Sequence, residues 1–392
     1  LDAVGVREFA QGLQEILVIE EKRQLVEYQI KEELYAWRED VRPKVYGKFD
    51  ERLAQDGREG GEWSLPQGNW LLPSHNELDP ALIAQAIAKR LQHFALPEDI
   101  QAYIGSRMRA IEQRQQVGHA NHLPVERKPY FCSGCPHNTS TKVPEGSRAM
   151  AGIGCHYMAQ WMDRSTGLVC QMGGEGVAWV GQAPFTDEAH VFVNLGDGTY
   201  FHSGVLAIRQ AIAAKVNITY KILYNDAVAM TGGQPLDGQL SVAAMSHELR
   251  AEGASRIVVV TDEPAKYDGS DELAPGVQVF HRDRLDEVQQ QLRATPGCTI
   301  LIYDQTCATE KRRRRKRGKL PAASTHVVIN EALCEGCGDC SVQSNCLSVE
   351  TVSTPLGRKR RINQSSCNQD LSCLKGMCPA LVSIEGGQVH RP

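Results

Sequence analysis

The sequence predicts an α/β protein built on a doubly wound parallel sheet, followed by a small cysteine-rich module. Three observations lead there. Four β-branched runs, "AHVFVNLGD", "NITYKILYND", "SRIVVVTDE" and "CTILIYDQTC", alternate with helical stretches such as "SGVLAIRQAIAAK" and "LDEVQQQLRA". That is the pattern of parallel strands joined by crossover helices. Seven of the thirteen cysteines crowd between Cys334 and Cys378. The 392 residues, 42% apolar and 23% charged, leave room for two or three domains and at least one large core.

Taken in order, residues 1–50 read as a strand, "EILVIEE", and a helix ending near Arg42 and Pro43. Residues 51–128 read as a linker carrying one helix. Its loop-like part is "GREGGEWSLPQGNWLLPSHNELDP", rich in Gly, Pro and Asn. Its helix is "DPALIAQAIAKRLQHF", with Asp79 as N-cap and Pro80 at the first position. Residues 129–320 hold the alternating strands and helices, and residues 325–392 the cysteine-rich module. Between the last two lies "KRRRRKRGK", Lys311 to Lys319. It reads first as a flexible, solvated linker. The second reading is docking on an acidic surface of the same assembly or of an acidic electron carrier. DNA binding lacks an accompanying recognition fold.

A formal net charge of −4 argues against nucleic acid as main partner. No run approaches the 18 or so apolar residues of a membrane helix. The chain opens on Leu1 without a secretory leader, already in strand and helix pattern, and is expected to be a fragment of a longer protein. Dense cysteines in that setting read as metal ligands and point to a reducing cytoplasm.

Ligands of doubly wound sheets bind beyond the carboxyl ends of the strands. After "VFVNL" comes Gly196-Asp197-Gly198, then 26 residues, then Asn225 at the end of the next run. Glycines let a backbone approach phosphate closely, and the following helix offers its N-terminus to an anion. Asp197 and Asn225 are hard oxygen donors of the kind Mg2+ prefers, and Mg2+ bridges to diphosphate. The alternative, a nicotinamide-binding turn, wants a third glycine that "GDGTYF" lacks.

The longer string "GDGTYFHSGVLAIRQAIAAKVNITYKILYNDAVAMTGGQP" resembles the indolepyruvate:ferredoxin oxidoreductases, in their long bacterial fusion form, within the 2-oxoacid:ferredoxin oxidoreductase superfamily. The resemblance runs from "VIEEKR" to the C-terminal module. It implies a thiamine diphosphate-binding domain over 129–320. Asp197, the Asn225 side chain and the Ala227 carbonyl would hold Mg2+. Met230 to Pro235, including Thr231, would lie near the diphosphate. It implies that residues 1–50 end a transketolase C-terminal-like domain. It implies oxidative decarboxylation of a 2-oxoacid, an arylpyruvate such as indolepyruvate, with coenzyme A as acyl acceptor and ferredoxin as electron acceptor. Related enzymes suggest a homodimer. The glutamate that activates thiamine comes from a pyrimidine-binding domain, which, like a gamma-type domain, lies outside this chain. The fragment alone is therefore expected to be inactive.

"FCSGCPH", "GIGCH" and "DQTC" supply Cys132, Cys135, Cys155 and Cys307. Cys307 follows the last strand, on the same sheet edge as Asp197 and Asn225. Four thiolates there suit zinc or an iron–sulfur cluster, and spacing alone does not choose. In the superfamily the matching cysteines hold a [4Fe–4S] cluster. Cys170 and Cys298 read as inert thiols.

The module reads "CEGCGDCSVQSNC" and "CNQDLSCLKGMCP". Bacterial ferredoxins use two C-x₂-C-x₂-C-x₃-C-P runs, each lending its fourth cysteine to the other cluster. That rule predicts a ferredoxin-like, two-cluster module. Cys334, Cys337, Cys340 and Cys378 form one site; Cys346, Cys367 and Cys373 form the other, with Asp370 where a cysteine is due. Asp370 is expected as a harder, weaker fourth ligand, with [3Fe–4S] as the alternative state; it also reads as a plain loop residue. A zinc ribbon is the competing reading of the module. Three clusters are expected in all.

His137, His156 and His202 lie near the proposed centre as proton carriers or as structural histidines; His202, just after GDG, is the first candidate. Two other functions remain open: a non-oxidative thiamine decarboxylase, and an electron-transfer subunit with a vestigial thiamine fold.

Overall fold

The computed structural model describes residues 1–50, 70–120, 128–234, 238, 240–269, 272–321 and 324–386. Pro235, the last residue of the "MTGGQP" stretch, lies outside them, as do 57–69 of the loop-like stretch and 387–392 of the module. The chain divides into two compact units, Leu1–Glu126 and Arg127–Pro392.

In the first unit, strand β1 (Glu15–Leu17) pairs in parallel with β2 (Lys44–Tyr46). Helices Ala3–Ala10 and Val26–Leu34 bury Ala10, Ile30 and Leu34 with Ile16 and Val18. The helix expected to reach Arg42 stops at Leu34. Pro43 disfavours helical backbone at Arg42, and the intervening residues turn the chain back so that β2 lies beside β1. The segment expected as a linker with one helix carries two, Pro80–Leu91 and Glu98–Ala120. Asp79 caps the first by accepting from Leu82 N at 2.9 Å, with Pro80 at its start. That helix belongs to the strand pair. Ala86 packs with Tyr46, Leu71 and Leu72, and buried Arg90 reaches Glu15 and Asp50 at 2.7 and 2.5 Å.

The second unit holds a seven-stranded parallel sheet in the order β4-β3-β5-β6-β9-β7-β8. The four expected runs form β5 (Val191–Gly196), β6 (Ile218–Tyr224), β7 (Arg256–Thr261) and β9 (Cys298–Asp304). They are buried on both faces, as near-continuous apolar runs must be. Three shorter strands complete the edges: β3 (Ala149–Ala151), β4 (Thr166–Val169) and β8 (Gln278–His281). Helices Val205–Ala213, Val242–Glu252 and Leu285–Ala294 cover the faces, burying Ile208, Leu249 and Leu292 against the strands.

The cysteine-rich segment pairs β10 (Thr325–Ile329) antiparallel with β13 (Leu381–Glu385). Between them lie helix Asp339–Ser344 and the hairpin β11 (Val349–Thr354) to β12 (Gly357–Ile362). Its core is small and includes Cys334 and Cys340 beside Val327, Ile329, Val349, Ile362 and Ala380.

The basic run is not a flexible linker. Ala308–Lys316 is a helix, and its cations from Lys311 to Arg315 have partners inside the chain. Lys311 reaches Asp262 at 3.0 Å, Arg314 reaches Asp226 at 2.8 Å, and Arg313 reaches Glu310 at 2.6 Å. Arg312 donates to Ser365 O, and Arg315 to Gln369 Oε1 at 2.9 Å. The helix therefore straps the second cysteine run to the sheet. Among the described residues, no helix is long and apolar enough to cross a membrane.

Candidate functional site

Parallel strands bring their carboxyl ends to one edge, so residues far apart in sequence meet there. β5 and β6 are neighbours, with Gly196 opposite Leu223. Asp197 and Asn225 leave these strands side by side. Asp197 Oδ2 accepts from Asn225 N at 3.1 Å and Asp226 N at 3.2 Å, while Oδ1 accepts from Gly198 N at 2.9 Å. Asn225 Oδ1 accepts from Ala227 N at 3.2 Å. The knot needs Asp226 in the left-handed region, φ +59°, and Arg314 holds its carboxylate. Burial pushes the Asp197 carboxyl up to about 6, against the three N–H groups that pull it down. A buried carboxylate still short of compensation suits a divalent cation, so these residues fit Mg2+ and a diphosphate.

The other residues expected here are placed less tightly. His202 lies in the wide turn Tyr200–Gly204 after GDG, exposed, its Nδ1 at 2.6 Å from Ser203 Oγ. Thr231 is exposed, and its hydroxyl bonds Gln234 Oε1 at 2.8 Å rather than the Asp197 knot. A further residue carried no motif in the reading of the sequence: Glu175, in "GGEG". It is 1% exposed, accepts from Gly173 N at 2.7 Å on Oε2, and leaves Oε1 without a partner. Burial raises its pKa; the amides of Glu175, Gly173 and Ile153 and the His202 charge oppose this. The glycines around the carboxylate were the available signal.

Cys132, Cys135, Cys155 and Cys307 line one pocket, and Asn225 lines it too. Cys307 N donates to Asn225 O at 3.1 Å, which fixes the two sites against each other. Burial, then the neighbouring Cys307 and Cys132, push the Cys155 thiol up to about 11; burial raises Cys135 well above its ordinary value. Four thiolates in this pocket require cationic compensation. His137 and His156 are buried beside it and held neutral, pushed down by burial to about 4 and about 3. All thirteen cysteines are free thiols. Cys298 is buried on β9, its thiol pushed up by burial to about 12.

The module holds two more cysteine-lined pockets. Cys334, Cys337, Cys340 and Cys378 share one. Cys346, Cys367 and Cys373 share the other with Asp370, and Gly134 of the Cys132–Cys135 turn lines its wall. Asp370 is thus beside the three cysteines, but its carboxylate is occupied. Arg282 and Gln305 donate to Oδ1, the latter at 3.0 Å, and Ser372 donates to Oδ2. Among the described residues, no three or more His, Cys, Asp or Glu side chains are placed to hold a single metal ion.

Residues 1–121 match the Indolepyruvate ferredoxin oxidoreductase middle domain. Residues 152–300 match the Thiamine pyrophosphate enzyme, C-terminal TPP binding domain. The chain is similar to "Indolepyruvate oxidoreductase subunit IorA" of Thermococcus kodakarensis, 23% identical over 95% of this chain and 53% of that protein. The subunit of the same name from Methanothermobacter marburgensis is 24% identical over 97% of this chain and 49% of its own length. The chain spans about half the length of these curated relatives. Among solved structures, a 2-oxoglutarate:ferredoxin oxidoreductase from Magnetococcus marinus is similar at TM-score 0.34 and 18% identity, over 48% of this chain and 66% of that one. The sheet edge with Asp197 and Asn225 falls inside the segment that matches the thiamine pyrophosphate-binding domain. Along the chain, a segment similar to the middle domain of indolepyruvate ferredoxin oxidoreductases thus precedes one similar to a thiamine pyrophosphate-binding domain.

Proposed function

We propose that this chain is the thiamine- and cluster-binding part of an enzyme that oxidatively decarboxylates a 2-oxoacid. One observation carries the reading: the four-cysteine pocket and the Asp197–Asn225 knot share a wall, joined by the bond from Cys307 N to Asn225 O. A non-oxidative decarboxylase has no electrons to remove and no use for four thiols gathered there. An electron-transfer subunit with a vestigial fold has no use for an intact knot.

Thiamine diphosphate, when bound, supplies the carbon nucleophile that makes decarboxylation accessible. Asp197, Asn225 and the Ala227 carbonyl would hold Mg2+. Gly196 and Gly198 keep the backbone open toward the diphosphate, with Thr231 on the nearby turn. Cys132, Cys135, Cys155 and Cys307 line one pocket beside the knot, and an iron–sulfur cluster there, unlike zinc, would accept electrons. A [4Fe–4S] cluster there would take electrons one at a time. The ferredoxin-like module would pass them outward, with Cys334, Cys337, Cys340 and Cys378 holding a second [4Fe–4S]. His202 would move protons at the cofactor. The names of the relatives support indolepyruvate or another arylpyruvate as substrate. Coenzyme A, ferredoxin, a homodimer, the pyrimidine-binding and gamma-type domains and a cytoplasmic setting belong to the same reading.

The test has two arms. On anaerobically prepared chain, iron and acid-labile sulfide are counted, and thiamine diphosphate binding is followed by calorimetry with and without Mg2+. We expect about eleven to twelve irons per chain and Mg2+-dependent binding. On the full-length protein, coenzyme A-dependent reduction of a viologen dye is compared between arylpyruvates and aliphatic 2-oxoacids. Stoichiometric zinc with little iron, or CO2 release without dye reduction, defeats the proposal.

A further inference from the structure

Eleven of the thirteen cysteines divide among three pockets, and one pocket is short. Four thiols line the sheet-edge pocket and four the pocket of Cys334, while Cys346, Cys367 and Cys373 stand alone in the third. Cys298 is buried in the sheet, and Cys170 follows β4 on an edge strand. The ligand spacing reserves the missing corner for Asp370. The structure gives Asp370 another task.

Its carboxylate accepts from Arg282 Nη1, Gln305 Nε2 and Ser372 Oγ. Its backbone oxygen accepts from Arg282 Nη2 at 2.6 Å. Arg282 follows β8 and Gln305 follows β9, so both anchors belong to the carboxyl edge of the sheet. Both side chains of the Arg282–Asp370 pair are about nine-tenths buried, at 10% exposure each. Turning the carboxylate toward an iron would strand a buried guanidinium, which has no second carboxylate partner among the described residues. The side chain also has little freedom to turn. A Cβ at Gly134 would lie 2.9 Å from Asp370 Cβ, so the Cys132–Cys135 turn presses directly on it.

No other strong ligand takes the corner. Ser344 Oγ donates to Cys340 O at 2.7 Å, Ser348 Oγ pairs with Ser366 Oγ at 2.9 Å, and Ser372 is spent on Asp370. Asn368 Oδ1 is buried without a partner, but a neutral amide oxygen is a poor substitute for thiolate on a soft iron–sulfide core.

We infer that Asp370 anchors the module to the sheet and is not an iron ligand, so that Cys346, Cys367 and Cys373 hold a [3Fe–4S] cluster on three thiolates. This inference rests on the proposed function, which puts clusters in the module. It corrects the ligand role that spacing suggests for Asp370. Arg282 acts as a positioning residue that keeps the carboxylate away from the iron corner.

The test uses the anaerobically prepared full chain and EPR with iron counts, compared across wild type, Asp370→Asn, Asp370→Cys and Arg282→Gln. Wild type should give about one spin per chain of oxidised [3Fe–4S] signal and about eleven irons. Asp370→Asn, which removes a ligand if there is one, should leave that signal unchanged. Asp370→Cys should replace it with a [4Fe–4S] signal. Arg282→Gln removes the charged donor that holds the carboxylate, leaving only the neutral donors Gln305 and Ser372. On reduction by dithionite with added Fe2+, a neutral [3Fe–4S] core then takes up one Fe2+ to become [4Fe–4S]2+, at a ferrous concentration where wild type does not. An iron-replete wild type without the three-iron signal, which gains it in Asp370→Asn, overturns this inference alone. A chain with no iron in any pocket overturns the proposed function along with it.

Discussion

At the scale of single residues, buried charge decides what the sheet edge does. Asp197 accepts three backbone N–H bonds and burial still lifts its carboxyl to about 6. Asp197→Asn should weaken Mg2+-dependent thiamine diphosphate binding by at least about tenfold, since one good charged contact is worth about 1.4 kcal/mol or more; titration calorimetry reads this. His190 shows the opposite kind of burial, far from the proposed ligands. Its ring packs against Phe192 at 4.7 Å and bonds Thr219 at 2.7 Å. Burial, helped by the Arg293 charge, pushes it from 6.5 down to about 4. The native ring stays neutral where the unfolded ring takes a proton. Its stability contribution is therefore complete above pH 6.5 and drains away as pH falls toward 4, by about 3 kcal/mol. His190→Gln should flatten that part of the stability curve, measured by urea melts at pH 4.5 and 7.5; an unchanged slope refutes the assignment. Asp197 and Asn225 are legible in the sequence because a turn, a spacing and two strand ends fix them. Glu175 is not, because burial and an orphaned oxygen leave no mark in a string of letters.

At the scale of elements, the basic helix Ala308–Lys316 is where local reading fails. It has no apolar period, and a run of arginines looks like solvent-facing linker. Its partners are Asp226, Asp262, Ser365 and Gln369, set by tertiary folding and invisible to any window along the chain. Removing two of its contacts, with Arg312→Ala and Arg315→Ala together, should speed amide exchange in residues 365–370 by roughly tenfold or more. Hydrogen bonds to charged donors are worth about 1.5–3 kcal/mol each. Exchange within β5, β6 and β9 should not change. The helix Pro80–Leu91, by contrast, is legible down to its cap. Asp79→Ala should cost about 1 kcal/mol, read as a lowered midpoint for unfolding of the first unit.

At the scale of the whole chain, the sheet and the module stand on different foundations. The sheet core is made chiefly of Val, Ile, Leu and Tyr from β5, β6, β7 and β9, with apolar residues of the covering helices. The module core is small and counts Cys334 and Cys340 among its members, with Cys346, Cys367, Cys373 and Cys378 packed against it. On the proposed reading, chelating the module's iron should therefore melt residues 324–386 and leave the sheet folded, seen as loss of protection in the module with little change in far-UV ellipticity of the remainder. The four long strands were legible as apolar runs. β3, β4 and β8 were not, being three or four residues long and held in place by their neighbours. The contact at Gly134 has one more consequence. Its turn carries Cys132 and Cys135, and it lies on the loop of Asn368 and Asp370, with Asn368 Nδ2 bonded to Ser133 O at 2.8 Å. The module is no swinging arm that must travel to collect its charge. On the proposed reading, passage between the two centres is a hop across one glycine, and its rate should be indifferent to the viscosity of the solvent.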